Sequence, residues 1–213
     1  MSTIALRVEA PVVAWRVPYA VEYGETFNVP PPSTVYGMLL SMVGEERKER
    51  HQGVKLAMAM LSQPGFSTTL RSQWRFKDST IPGRRSTKNV IPGTQEILTD
   101  VRFALWVDST GEPGRCLTLA ERLTTALETP GAITRYGGLS LGESRDMVDF
   151  VGFLNPREDV VGYPVTVDPR GDIALPVWTE FGTGGKTRWG QFHLATSPEI
   201  LPLRPGENAF IVI

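Results

Sequence analysis

The chain has 213 residues, 41% of them hydrophobic and 21% charged, with a formal net charge of −1. That length suits one large domain or two small ones, with a core that needs no covalent staple. The near-zero charge excludes a globally basic nucleic-acid binder, so any such role must rest on local clustering.

The single cysteine, Cys116, excludes an internal disulfide and fits a reducing compartment. It lies next to a predicted helix start and reads as a small buried hydrophobe. Met1 to Ala10 lacks the layout of a signal peptide. The longest apolar run, Val35 to Val43, is broken by Gly37 and Ser41 and is too short to span a bilayer. The expectation is a soluble, cytoplasmic protein with no membrane contact. With 17 prolines and 21 glycines, connections should be many and strands short.

Thr3 to Glu9 alternates, with Ile4, Leu6 and Val8 on one parity, and predicts a half-buried first strand continuing through Val12 to Val17. Trp15, Arg16, Tyr19 and Tyr23 crowd the next segment; aromatics beside an arginine can stack on unpaired bases or cover a core edge. Pro30 to Pro32 stiffen the approach to a helix that Ser33 or Thr34 can cap. Its stripe is Val35, Met38, Leu39, Met42 and Val43, and Gly44 supplies the stop. Gly37 inside this helix costs roughly 1 kcal/mol relative to alanine, which is ascribed to close packing. A helix start can also hold a phosphate, although a plain cap is the preferred role for Ser33.

Glu45 to Gln52 is a charged link that includes His51, and Val54 to Leu61 stays open between strand and helix. From Leu70 to Lys77, Leu70, Trp74 and Phe76 fall on one parity and Arg71, Gln73, Arg75 and Lys77 on the other. Strand side chains alternate between faces, so one face offers apolar bulk to a core and the other a row of cations and an amide. The loop that follows repeats Ile-Pro-Gly at Ile81–Gly83 and Ile91–Gly93, with Arg84, Arg85 and Lys88 between. Such a row is either a grip on a phosphate backbone or a solvated edge strand with a mobile tip.

Ile97 to Val107 predicts a strand. Thr118 and Glu121 form a capping box for a second helix with the stripe Leu119, Leu123, Ala126 and Leu127, ended by Pro130 and Gly131. This succession resembles a split β-α-β, ferredoxin-like unit. Tyr136 to Arg145 is a glycine-rich loop without Walker spacing; it can approach a ligand or make a tight crossover. Short strands follow from Val148, with the Asp168–Gly171 turn expected to join two of them as a hairpin. Gly182 to Arg188 is a second glycine-rich loop with cations. The fold class is therefore α+β, divided at 1–145 and a small β-rich 146–213.

Catalysis is not demanded. The two histidines, His51 and His193, lie far apart, no zinc-ligand spacing exists, and His193 reads as structural. Asp146 and Asp149 read as a commonplace surface pair. Ser140 matches Gly-x-Ser-x-Gly in letters but lacks the strand before it and the helix after it.

Three stretches together resemble the Cas-five (Cas5) family of CRISPR-associated proteins: Phe27 to Gly44, Thr94 to Phe103, and Leu139 to Ser144. They occur in the family's order across essentially the whole chain. The resemblance implies a ferredoxin-like, RNA-recognition-motif-like domain with a protruding β-hairpin thumb at about residues 78–96, built on the Asp78–Gly93 loop. It implies a grip on the 5′ handle of the guide RNA in a type I Cascade complex. The implied partners are the first copy of the filament-forming backbone subunit and the large subunit, with target DNA nearby and no cofactor.

Charge and position then name the expected RNA contacts. They are Arg71, Gln73, Arg75 and Lys77 on the basic strand, Arg84, Arg85 and Lys88 in the thumb, and Ser33, Thr34 and Tyr36 at the helix start. Trp15 and Arg16, and the loop residues Tyr136, Ser140, Ser144 and Arg145, complete the set. One branch of the family cleaves precursor guide RNA with Tyr, Lys and His near the thumb. Tyr36 could fill the first role, but Arg71 to Asp100 contains no histidine, so no nuclease activity is expected.

Overall fold

The computed structural model describes residues 2–20, 23–74, 90–114, 117–155, 159–180 and 185–213. Its centre is β1 (Thr3–Val13), β3 (Lys55–Met60) and β5 (Val90–Asp108). β5 lies between the other two and is antiparallel to both, Leu105 standing opposite Leu6 on one side and Met58 on the other. β1 and β3 therefore run parallel to each other, joined through α1 (Pro32–Met42). With β6 (Phe150–Phe153), β7 (Val161–Val167), β8 (Ile173–Thr179) and β9 (Thr187–Leu194), the strand order is β6-β1-β5-β3-β7-β9-β8. Strands after residue 145 thus hydrogen-bond into the same mostly antiparallel sheet as those before it.

One face of the sheet carries Leu6, Val8, Leu56, Met58, Phe103 and Leu105, which pack against α1 and α2 (Leu119–Glu128) through Val35, Met38, Leu39, Leu119 and Leu123. The other face carries Ala57, Ala59, Ala104 and Trp106, and Leu201 and Phe210 of the C-terminal segment cover them. Trp106 Nε1 donates to the Leu203 carbonyl at 3.1 Å. Burial on both faces explains why the 54–61 segment shows no clear alternation: it is a central strand. α2 begins as expected, with Thr118 and Glu121 exchanging their capping-box bonds. α1 does not. Its cap is Pro31 with no side-chain bond, and Pro32 takes the first helical position, where a missing N–H costs nothing; Ser33 and Thr34 sit inside the first turn.

Two other expectations are corrected. β4 (Gly65–Trp74) pairs with the early half of β5, while β2 (Tyr23–Gly24) lies parallel on the opposite edge. Among the described residues, Phe66 and Leu70 are 64% and 75% exposed, so Leu70, assigned to the core face, is open. The second Ile-Pro-Gly lies within β5, whereas residues 75–89, with Ile81–Gly83, are outside the described residues. The Asp168–Gly171 turn is present, but it does not close a hairpin, because β9 lies between β7 and β8. Phe192 stands opposite Val167 on one edge and Ile173 on the other. The turn crosses over that residue, and a Cβ on Gly171 would stand 2.2 Å from the Phe192 carbonyl oxygen. Among the described residues no helix is long and apolar enough to cross a membrane.

Between its two halves β5 changes partner from β3 to β4 at Asp100, a non-glycine residue at φ 57. The Ser62 hydroxyl bridges this joint, accepting from the Arg102 N–H at 3.0 Å and donating to the Asp100 carbonyl at 2.6 Å. Ser62→Ala should leave both groups without that partner and cost roughly 1–3 kcal/mol in urea unfolding. Asp100→Gly should be tolerated, since glycine takes a positive φ at no steric cost.

Candidate nucleic-acid interface

Segments distant in sequence converge on one cleft of about 920 Å³. α1 contributes Ser33, Thr34, Tyr36, Gly37 and Ser41, and the stretch after it Glu45, Glu46 and Lys48. Thr134, Arg135, Tyr136, Ser140 and Gly142 come from the region between α2 and β6, and Thr179 from β8. The start of α1 has neither a side-chain cap nor an acidic residue in its first turn, so no group of the helix itself offsets the positive end of its dipole. Gly37 is exposed, and among the described residues a Cβ built on it would meet nothing within 4 Å, so their packing does not explain it.

Tyr36 is 1% exposed and donates its hydroxyl to the Lys48 carbonyl at 2.6 Å. Burial first, and then the negative charge of Glu112, pushes that hydroxyl far above the usual tyrosine range. Its ring lies 6.0 Å from that of Trp178, over which Lys48 Nζ sits at 4.0 Å.

The glycine loop is held by two carboxylates. Asp146, 4% exposed, accepts from the Ala14 and Glu143 N–H groups, each at 2.9 Å. Trp15 Nε1 donates to the Leu141 carbonyl at 3.1 Å. Gly142 lies between them at φ 128; a Cβ there would stand 2.9 Å from Asp146 Oδ2 and 3.0 Å from the Ala14 carbonyl, so only glycine fits. Glu143 accepts from Arg71 at 2.8 Å and from Gln95 at 3.2 Å, and Arg71 also bonds Gln95. The two acids are pushed in opposite directions. Burial raises Asp146, whereas at Glu143 the burial cost is outweighed by the bonds from Arg71 and Gln95, which hold its carboxyl below the usual range.

The wall around Lys48 rests on a second network. Glu45 accepts from Arg50 at 2.9 Å and from Arg122 at 2.5 Å, and Arg122 also donates to the Val43 carbonyl at 2.9 Å and reaches His51 Nε2 at 2.9 Å. A guanidinium only donates, so Nε2 accepts and Nδ1 carries the ring proton toward Glu112 at 2.5 Å. Glu112 in turn accepts the Leu119 N–H at 3.0 Å, tying the network to the start of α2. His51, 1% exposed, is thus a buried member of this network within the charged link.

Of the expected contacts, Ser33, Thr34, Tyr36, Tyr136 and Ser140 line the cleft, and Ser144 and Arg145 are exposed on its glycine loop. Arg145 pairs with Glu143 at 3.2 Å. Arg16 is exposed, its backbone bridged to Thr26. Trp15 is corrected: at 2% exposed it cannot stack on a base and instead fixes the loop. Arg71 is corrected too, because Glu143 neutralises the charge meant for a phosphate. Gln73 lies in β4 opposite Ile91; Arg75, Lys77, Arg84, Arg85 and Lys88 are outside the described residues, as is Cys116. The sequence reading missed Lys48, Arg135 and the anchors Glu143, Gln95 and Asp146. The close spacing of Glu143 and Asp146 around the glycine loop was the available signal.

A double-mutant cycle on Arg71→Ala and Glu143→Gln should give a coupling of about 1 kcal/mol at neutral pH, since the pair is only partly buried. Because the folded state holds Glu143 below its usual value, its contribution is present above about pH 4.5 and fades as pH falls through the depressed folded value. The coupling measured at pH 3 should therefore be smaller than at pH 7.

Residues 3–131 match a family model described as CRISPR-associated protein (Cas_Cas5). A CRISPR-associated protein Cas5 of Myxococcus xanthus (strain DK1622) is 38% identical over 184 residues, which span 85% of this chain and 86% of that one. A solved chain described as CRISPR RNA-guided surveillance complex shares the fold at TM-score 0.65 and 19% identity, covering 98% of this chain and 96% of its own. A second, described as crystal structure of Cas protein, does so at TM-score 0.50 and 15% identity, covering 94% and 95%. The family match spans more than half of the chain, and the relative more than two thirds of it; this protein belongs to the Cas5 family of CRISPR-associated proteins.

Proposed function

We propose that the chain is a non-catalytic RNA-binding subunit of a type I CRISPR Cascade effector, holding the 5′ handle of the guide RNA and joining the backbone filament to the large subunit. The observation that carries this reading is the convergence of Ser33, Thr34, Tyr136 and Ser140 on one cleft. Hydroxyls, an uncapped helix start and a glycine loop suit a phosphate backbone, and an exposed tyrosine suits a base. The order β6-β1-β5-β3, with both helices on one face, supports a ferredoxin-like reading of this part, and the β4–β5 ribbon supports reading it as the base of a thumb. The cations of that thumb, Arg84, Arg85 and Lys88, are the phosphate-neutralising set in this proposal.

The double variant Arg84→Ala/Arg85→Ala should weaken binding of the chain's own repeat RNA and flatten its salt dependence by roughly one unit of log–log slope per lost phosphate contact. Unchanged affinity and slope would count against the proposal. In the same reading Tyr36 is no nucleophile, since its hydroxyl is committed to the Lys48 carbonyl and held protonated. Incubation with repeat RNA in EDTA should leave the RNA intact; site-specific cleavage that disappears in Tyr36→Phe would overturn this part.

A further inference from the structure

We infer that Gly37 is where a nucleobase of the bound RNA lies against the backbone of α1, and that its missing side chain decides what the cleft admits. This rests on the reading of the cleft as an RNA site. Glycine is disfavoured inside a helix, and Gly37 stands at the midpoint of Pro32–Met42. Neither usual reason for tolerating it applies. Its φ is not positive, and among the described residues nothing stands within 4 Å of where a Cβ would be. The missing Cβ leaves room for close approach by a ligand.

The neighbourhood indicates which part of a nucleotide that is. The Gly37 N–H lies in mid-helix, committed to the helix ladder, so this point offers a phosphate no donor. A flat ring needs only the absence of an obstruction. Tyr136, 84% exposed on the same cleft, supplies an aromatic face for a base.

The test uses the full-length protein with a labelled single-stranded RNA of its own repeat sequence, and a series of that RNA with an abasic site at each position in turn. Gly37→Ala should raise the thermal midpoint by about 2–4 °C, as a better helix former, while weakening RNA binding about tenfold. Gly37→Leu should weaken binding further without loss of folding. At one abasic position, wild type and Gly37→Leu should bind alike. Unchanged affinity in both variants, a lowered midpoint in Gly37→Ala, or an equal loss for Gly37→Leu across the whole abasic series would each overturn the inference. If Arg84→Ala/Arg85→Ala weakens binding while Gly37→Leu does not, this inference falls and the RNA reading stands. If the wild type binds none of these RNAs, both fall.

Discussion

Where the glycine loop lies is decided by two buried or half-buried carboxylates three residues apart. Asp146 faces the end of β1 and gathers backbone N–H groups, while Glu143 faces the β4–β5 ribbon and gathers Arg71 and Gln95. Left without donors, either acid would meet a desolvation cost that hydrogen bonding now offsets. The loop is therefore pinned between core and ribbon, and Ser140, Gly142 and Tyr136 face α1 across one cleft because of it. The RNA proposal needs that rigidity: a shape read by backbone and hydroxyl groups must be present before the ligand arrives.

The opposite wall depends on a network with a different logic. Arg122 reaches from α2 to the end of α1, and His51 and Glu112 relay it to the start of α2. Each member is satisfied by the next. Such a chain fixes the helices relative to one another more sharply than apolar packing alone, because exchanging any partner strands a buried polar group. Lys48 and Tyr36, which border the cleft, inherit their positions from it.

Elements set by local chemistry were legible. The alternation of Ile4, Leu6 and Val8, the stripe of α1 and the Thr118–Glu121 box all appear as read, and Ser33, Thr34, Tyr136 and Ser140 do meet. What failed was set by partners remote in the chain. Arg71 looked like a free cation because its counter-charge, Glu143, is 72 residues away. Leu70 looked like core because alternation names two faces but cannot say whether a layer covers either. The β7–β8 hairpin was expected from a good turn, yet β9 claims the edge that a hairpin would use. Gly37 was read as a packing glycine because sequence shows only that a side chain is missing, never what occupies the space.

β5 runs for 19 residues as a single strand, its later half the keel of the core and its early half the shaft of the ribbon. Leu98, Val101 and Phe103, all fully buried, anchor the strand on both sides of Asp100. A load applied at the outer end of the shaft is thus delivered straight into the packed interior, because β1 pairs with β5 on both sides of Asp100, at Leu98 and Thr99 as well as from Val101 onward. In mechanical terms the ribbon is a lever, and β1 braces the joint at Asp100 where β5 changes partner.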